Sequence, residues 1–345
     1  MKLRELNYLP AGLVDTDATG LEALLGGPVL IHLPGRQEPP LFISVLMHGS
    51  ETTGWEAVRA LLKQYGAGGE NRPDLPRAVS LFIGNVKAAA LGLRRLDDQP
   101  DYNRVWPGSG SPHTPEHALM RQVVDSMAER GLFASVDIHN NTGLNPHYAC
   151  VNVIDDRFLH LAAMFSRTVV YFLRPRGVQS MAMAKYCPAV TLECGKIGQA
   201  HGLEHVLEYL DACLHLSAFP DHPVAEHDIE LFHTVATVKV LENLSFGFGE
   251  HGVDIRFADD LDRLNFRELP RGTSLGRVGP GCGLGLEVRD EQGRDVTGRY
   301  FVLEDGELRL RLPVMPSMLT RDRRVVRQDC LCYLMERYEI KKDSP

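Results

Sequence analysis

Between residues 28 and 215, short apolar runs of strand length alternate with amphipathic stretches of helical length. The clearest run, residues 41–47, is almost continuously apolar, as expected of a central strand that is buried on both faces. The stretch that follows it repeats large apolar side chains at helical spacing. This alternation predicts an α/β domain in which helices flank a mixed central sheet.

Further elements of the same pattern are predicted along the chain. A second strand covers residues 79–83, and two more cover residues 134–138 and 189–192. A helix begins after Thr114, a good capping residue, and ends before Gly131. Residues 84–114 show little periodicity and are predicted as a long polar loop, which in a compact domain often carries function.

The pattern changes near residue 222. The chain after it is rich in β-branched runs, glycine-rich turns and strictly alternating segments, which predict strands. We therefore expect two domains, an α/β domain over residues 1–222 and a smaller, mostly β domain over residues 223–345.

Composition narrows the functional classes. With 37 basic and 45 acidic residues the net charge is −8, which argues against a nucleic-acid partner. No apolar run approaches the roughly 18 residues that a membrane span needs, and the first residues lack the pattern of a secretory signal, so we expect a cytoplasmic protein. Seven cysteines without paired spacing are expected to be reduced thiols.

Two strand ends carry residues that suit a metal ion. His48-Gly49-Ser50-Glu51 follows the first buried strand, and a turn at Gly49 can bring the imidazole and the carboxylate onto one zinc ion. His139 follows another strand and supplies a third ligand, with Asp137 two residues earlier on the same face as a partner for the imidazole. Each motif alone is also compatible with an ordinary hydrogen-bonded histidine.

Glu193 ends the apolar strand near residue 190 and is the predicted general base and acid. Burying a carboxylate there costs free energy, which favours a functional role for Glu193. The alternative is a structural role in a salt bridge. The adjacent Cys194 is interpreted as a small buried thiol rather than a nucleophile.

Together these motifs resemble the succinylglutamate desuccinylase and aspartoacylase family, a branch of the zinc carboxypeptidase superfamily. The motifs occur in the family's order, as His48-x-x-Glu51, Gly84-Asn85, Arg94, Asp101-x-Asn103-Arg104, Asp137-x-His139 and Glu193. The resemblance implies a zinc carboxypeptidase-like fold and one zinc ion, held by His48, Glu51 and His139, with Glu193 moving the proton.

The resemblance also implies roles for basic side chains. Arg94 would stabilise the oxyanion, with the adjacent Arg95 as the alternative, while Asn103 and Arg104 would hold a carboxylate of the substrate. This sequence departs from the family at Val86, where a proline is usual, and in a longer stretch between Arg94 and Asn103.

The leading hypothesis is therefore a zinc-dependent amidohydrolase that deacylates a small N-acyl amino acid. A zinc carboxypeptidase acting on peptides or modified peptides is the alternative, and a metal-binding protein without turnover is a third. The expected partner is a small carboxylate substrate, because a few arginines and a metal can make one pocket positive within an acidic protein. The sequence leaves a homo-oligomer open.

Overall fold

The computed structural model describes residues 2–68, 73–110 and 114–339. The chain forms two compact units. The first comprises residues 1–140, 147–171 and 175–230, and the second comprises residues 141–146, 172–174 and 231–345. Among the described residues, no helix is both long and apolar enough to cross a membrane.

The first unit is α/β. Its strands are β1 (Arg4–Leu6), β2 (Val29–Leu33), β3 (Gly35–Val45), β4 (Leu75–Ile83), β5 (Ala134–Asn141), β6 (Tyr148–Val151), β7 (Thr168–Tyr171) and β8 (Ala189–Lys196). Its helices are α1 (Leu21–Leu25), α2 (Thr53–Gln64), α3 (Val86–Ala90), α4 (Pro115–Arg130), α5 (Asp156–Ala163), α6 (Gln179–Met183) and α7 (Ala200–His215).

These strands form a mixed sheet in the order β1-β2-β4-β3-β5-β8-β6-β7. Strands β4, β3 and β5 are parallel neighbours, whereas β2 runs antiparallel to β4 and β6 antiparallel to β8. The carboxyl ends of β3, β4 and β5 therefore meet at one edge, where open α/β sheets place their ligands. The predicted α/β class with a mixed central sheet is confirmed.

The apolar runs are buried as predicted. Residues 41–43 of β3 are fully buried, and Trp55, Val58 and Leu61 of α2 lie at most 1% exposed. Tyr65, the last member of that apolar stripe, is only half-buried and donates its hydroxyl to Asp211 Oδ1 at 2.5 Å. A tyrosine at a helix end can pack its ring while its hydroxyl finds a polar partner.

The predicted helix after Thr114 is α4, and its start is capped from both sides. The Thr114 side chain accepts from the third helical residue, and the backbone N–H of Thr114 donates to His117 Nδ1 at 3.2 Å. Pro115 occupies the first helical position, where its missing N–H costs nothing.

The polar stretch predicted as a loop over residues 84–114 contains the short helix α3, and its residues 111–113 lie outside the described part of the chain. Asn85 caps α3 by accepting from Ala88 N at 3.2 Å. Three consecutive alanines favour this helix, but five residues are too few to show helical periodicity in the sequence.

The second unit is mostly β. Its strands are β9 (Glu230–Val240), which begins one residue before the unit, β10 (Phe246–Phe248), β11 (Ile255–Phe257), β12 (Ser274–Val278), β13 (Leu286–Asp290), β14 (Phe301–Glu304), β15 (Glu307–Leu310), β16 (Met315–Ser317) and β17 (Cys332–Arg337). Its helices are α8 (Thr297–Tyr300) and α9 (Arg323–Gln328).

Strands of the second unit pair in two sets, β13-β9-β17-β16 and β10-β11-β12-β15-β14. The alternating strand β15 buries Leu308 and Leu310 in an apolar core shared with Val238, Phe257 and Phe301. The β-rich character expected after residue 222 is thus present, while the domain boundary at that residue stays a prediction.

Candidate metal and catalytic site

His48 is turned into the site by an unusual end to β3. Leu46 adopts a left-handed conformation with φ of 57°, which is rare for a side chain of this size and is typical of positions under functional constraint. Gly49 is required for a different reason than the predicted turn: a Cβ there would lie 2.2 Å from Ala89 N of α3. The Gly49 N–H also donates to Arg94 O at 3.0 Å.

Glu51 stands between the two predicted histidine ligands. Its Oε1 lies 2.8 Å from His48 Nδ1, and its Oε2 lies 2.7 Å from His139 Nδ1. All three side chains are buried, and one donor atom from each lies within 4.8 Å of the others. The structure therefore brings together the three residues that the sequence predicts as metal ligands.

The outer nitrogen of each imidazole contacts an aspartate. His48 Nε2 lies 2.9 Å from Asp101 Oδ1, and His139 Nε2 lies 2.8 Å from Asp137 Oδ2. The other oxygen of Asp137 accepts from the Ser44 hydroxyl at 2.6 Å. Asp137 was predicted as the partner of His139, and the structure places it there.

This donor set fits a divalent metal ion. When each Nε2–H is donated to its aspartate, the two Nδ1 lone pairs and the Glu51 carboxylate point at one another, an arrangement that a cation between them would stabilise. His48 Nδ1 is buried and makes no hydrogen bond of acceptable geometry. Two imidazoles and one carboxylate are the protein ligands of many hydrolytic zinc sites.

Charge is concentrated around this cluster. Burial alone raises the pKa of Glu51, but the adjacent imidazoles of His48 and His139 outweigh it, so its pKa lies below the usual range. Burial lowers the pKa of His139, but Asp137 and Glu51 raise it well above the ordinary value. Asp101 is likewise held below its usual pKa, because His48 and Arg94 outweigh its burial.

Arg94 lies inside the site, and Arg95 does not contact the cluster. Arg94 Nη1 donates to Glu51 Oε1 at 3.1 Å and Nη2 donates to Asp101 Oδ2 at 3.2 Å. Arg95 Nη1 instead donates to the carbonyl of Gln99 at 2.8 Å within the loop. Of the two arginines that the sequence left open, Arg94 has the geometry of a site residue.

Asn103 is buried behind His139. Its Nδ2 donates to Asp137 Oδ2 at 3.2 Å and lies 3.0 Å from His139 Nε2, while its Oδ1 accepts from Gln179 N at 2.9 Å. Arg104 Nη1 donates to the Asn103 carbonyl at 2.9 Å. The prediction that Asn103 and Arg104 hold a substrate carboxylate stays a prediction, and in this structure the Asn103 amide serves Asp137.

Glu193 lies near the end of β8, opposite Tyr148 of β6. Its residue is 7% exposed, and burial raises the pKa of its carboxyl to about 8 against the opposing effects of His139 and Arg94. The charges of His139 and Arg94 thus act on this carboxyl, and burial outweighs them. A perturbed pKa of this kind beside a metal cluster is typical of an acid–base residue.

Sequence reasoning missed three side chains that hold the site. Asp101 was noted only as part of a motif, and Ser44 and Asn140 were assigned no role. Asn140 donates its backbone N–H to Glu51 Oε2 at 3.2 Å. For Ser44 and Asn140 the available signal was that polar residues stand near the ends of otherwise apolar strands, where burial demands a partner.

Other reactive side chains lie outside the cluster. His147 stacks on His201 and on His205, with ring centroids 5.3 and 5.2 Å away. Within the described residues, none of the three joins the candidate metal-binding group. Cys194 is fully buried, and burial raises the pKa of its thiol well above the ordinary value, as expected of a structural cysteine. No disulfide bond joins any of the seven cysteines, all of which lie within the described residues.

A comparison with known protein families shows to which family the chain belongs. The model of the succinylglutamate desuccinylase/aspartoacylase catalytic domain matches residues 37–209, just over half of the chain. The chain belongs to this family. The matched segment spans β3 to α7 and contains every residue of the cluster described above. The resemblance drawn from the ordered motifs is therefore confirmed.

Solved structures of the family share the fold. Succinylglutamate desuccinylase from Chromobacterium violaceum is 18% identical with a TM-score of 0.55, and the match covers 89% of this chain and 87% of that one. Murine aminoacylase 3 is 15% identical with a TM-score of 0.58, covering 88% and 97%. The desuccinylase from Vibrio parahaemolyticus is also 15% identical, with a TM-score of 0.58 and coverage of 90% and 86%. A search of curated protein sequences finds no match.

Proposed function

We propose that this chain is a zinc-dependent amidohydrolase that cleaves the amide bond of a small N-acyl amino acid. The observation that carries the proposal is the buried convergence of His48, Glu51 and His139, whose donor atoms lie within 4.8 Å of one another. Membership of a family named for desuccinylation and aspartate deacylation supports the reaction class.

The three donors would suit a zinc ion, which would supply Lewis acidity towards water and the amide carbonyl. His48 and His139 would bind it through Nδ1, because their Nε2 atoms already contact Asp101 and Asp137. Such carboxylate partners fix the orientation of a ligating imidazole and increase its basicity. Ser44 holds Asp137 in turn, so the ligand geometry is set before a metal binds.

Glu193 is proposed as the general base and acid. Its carboxylate would take a proton from the attacking water and, once protonated, would pass it to the departing amine nitrogen. Burial of Glu193 favours this proton transfer, because it brings the free energies of the neutral and the charged carboxyl close together near neutral pH. A glutamine at this position would keep the shape and lose the proton transfer.

Arg94 is proposed to stabilise the negative charge that develops on the carbonyl oxygen. Its guanidinium is held by Glu51 and Asp101, so its donors are oriented before the substrate arrives. A preoriented donor in a site that excludes water contributes strongly to transition-state stabilisation. Arg104, which donates to the carbonyl of Asn103, is proposed to bind the carboxylate on the amino-acid half of the substrate together with Asn103. The geometry of a guanidinium matches that of a carboxylate.

The remaining parts of the proposal concern architecture. We assign the hydrolase domain to residues 1–222 and the β-rich domain to residues 223–345, and we propose that the first has the zinc carboxypeptidase-like arrangement. Two solved structures with this fold are named succinylglutamate desuccinylases and another is an aminoacylase. Those names support small N-acyl amino acids as the substrate class.

A substrate panel tests the proposal. The purified protein is chelated, reloaded with one equivalent of zinc and incubated with N-succinyl, N-acetyl and other N-acyl amino acids and with short peptides, and the freed amine is measured. We expect release from at least one N-acyl amino acid, loss on chelation and recovery with zinc. Preference for peptides would favour the carboxypeptidase alternative, and activity that survives complete chelation would overturn zinc dependence.

A further inference from the structure

Asn140 is the residue after His139 in β5, and its neighbours in the strand point to the opposite face. It is only 3% exposed, and three hydrogen bonds link it to two segments, residues 51–53 and the end of β8. Its backbone N–H donates to Glu51 Oε2 at 3.2 Å. Its Oδ1 accepts from Thr53 N at 3.2 Å, and its Nδ2 donates to Gly195 O at 3.0 Å.

The two side-chain hydrogen bonds require Asn140 to accept on one side and to donate on the other. Thr53 is the first residue of α2, and its N–H has no partner within the helix, so an acceptor is needed there. Gly195 presents a carbonyl, so a donor is needed on the other side. A primary amide carries both groups, whereas an aspartate of the same shape would face a buried carbonyl with an oxygen.

The segment that Asn140 holds by its donor is the end of β8, just after Glu193. Gly195 lies two residues beyond Glu193 within this strand and has a φ of 71°, a conformation that favours glycine. The space beside Gly195 is also occupied, because a Cβ on Gly195 would lie 2.9 Å from His147 Nε2. Asn140 and His147 together leave the end of β8 little room to shift.

Glu51 and Glu193 come from different segments, and one residue contacts both segments. We propose that Asn140 is a positioning residue that fixes the segment of the metal ligand Glu51 relative to the end of β8, which carries the general base Glu193. The consequence for turnover rests on the proposed function. A displacement of about 1 Å between reacting groups can cost a factor of about 100 in rate.

Asn140→Asp is the most direct variant, since it keeps the size of the side chain and removes the donor to Gly195. Asn140→Ser removes both side-chain bonds without adding a charge, and it is the second variant if the first does not fold. Asn265→Asp is the matched control. Asn265 is a buried asparagine of the second unit that donates to the carbonyls of Asp262 and Leu319.

Steady-state kinetics on zinc-loaded protein form the first readout. We expect kcat to fall about 100-fold in the Asn140 variants, with KM changed less than about threefold and one zinc still bound per chain. Asn265→Asp should lose stability and retain kcat. A kcat within threefold of wild type in a folded, zinc-loaded Asn140 variant would overturn the positioning role.

Hydrogen exchange provides a readout that needs no substrate. Amides of residues 196–199 should exchange at least about 10-fold faster in the Asn140 variants than in wild type, because a buried hydrogen bond of about 1.4 kcal/mol corresponds to that factor. Unchanged exchange refutes the proposal even if no substrate is found. If exchange is faster in the Asn140 variants but the wild type shows no activity, the positioning role of Asn140 stands and the proposed amidohydrolase activity is rejected.

Discussion

The Asp101 carboxylate lies 2.9 Å from His48 Nε2, on the far side of the imidazole from Glu51. Asp137 stands in the same relation to His139, at 2.8 Å. Two imidazoles from different strand ends are thus oriented in the same way, each with Nδ1 turned to one carboxylate. Such paired orientation is expected of a site that binds a metal ion with little reorganisation.

Replacing Asp101 with asparagine should weaken zinc binding by about 10- to 100-fold, because the outer partner of His48 loses its charge while its shape remains. Competition with a chelating dye measures the affinity. Asp98→Asn is the control, since Asp98 is an exposed aspartate of the same loop. Equal zinc affinity in the Asp101 variant and the control would remove Asp101 from the metal site.

The sequence was sufficient to predict that His48, Glu51 and His139 lie together, because the first two follow β3, His139 lies near the end of β5, and parallel strands bring their carboxyl ends to one edge. Asp101 and Arg94 could not be placed in this way. Both lie in a loop without periodicity, whose course depends on distant contacts such as the bond from Gly49 N to Arg94 O. Asn140 was hidden for a similar reason, since its partners Glu51 and Thr53 on one side and Gly195 on the other are far apart in sequence and only the fold brings them together.

Arg94→Gln should lower kcat by about 100- to 1,000-fold, which is the usual effect of removing one preoriented donor from an oxyanion site. Arg95→Gln is a neighbouring control, because Arg95 only donates to backbone carbonyls of its own loop. Initial rates at saturating substrate measure both. An equal loss in the two variants would show that the loop, rather than the Arg94 guanidinium, is what matters.

Ser44→Ala should destabilise the protein by about 1–3 kcal/mol, since it leaves a buried carboxylate oxygen of Asp137 without the 2.6 Å hydrogen bond that it now accepts. Urea unfolding measures the change. Ser50→Ala is a control in the same region, at a half-buried position. A destabilisation no larger than that of the control would mean that Asp137 does not depend on Ser44.

The raised pKa of Glu193 predicts a pH-dependent stability in chelated protein. Burial shifts this pKa from 4.5 to about 8, so the folded state binds more protons than the unfolded state between these values. Stability contributed by the protonated carboxyl is complete below pH 4.5 and is lost as pH rises towards 8. Wild type should therefore lose about 3–5 kcal/mol across this window relative to Glu193→Gln, at about 1.4 kcal/mol per unit.

Urea unfolding of both proteins at pH 5 and pH 8.5, with chelator present, measures that difference directly. The comparison removes the contribution of the other titrating groups, because they are common to both proteins. A difference that stays constant with pH would show that the folded-state pKa of Glu193 is not raised.

The central claim is that Glu193 moves the proton in an amide hydrolysis that requires the zinc site. The most direct measurement is kcat of wild type and Glu193→Gln on the best N-acyl amino acid of the panel, with zinc content determined on the same samples. The account predicts equal zinc content and a loss of about 100- to 10,000-fold in kcat. An unchanged rate in the zinc-loaded variant would contradict it.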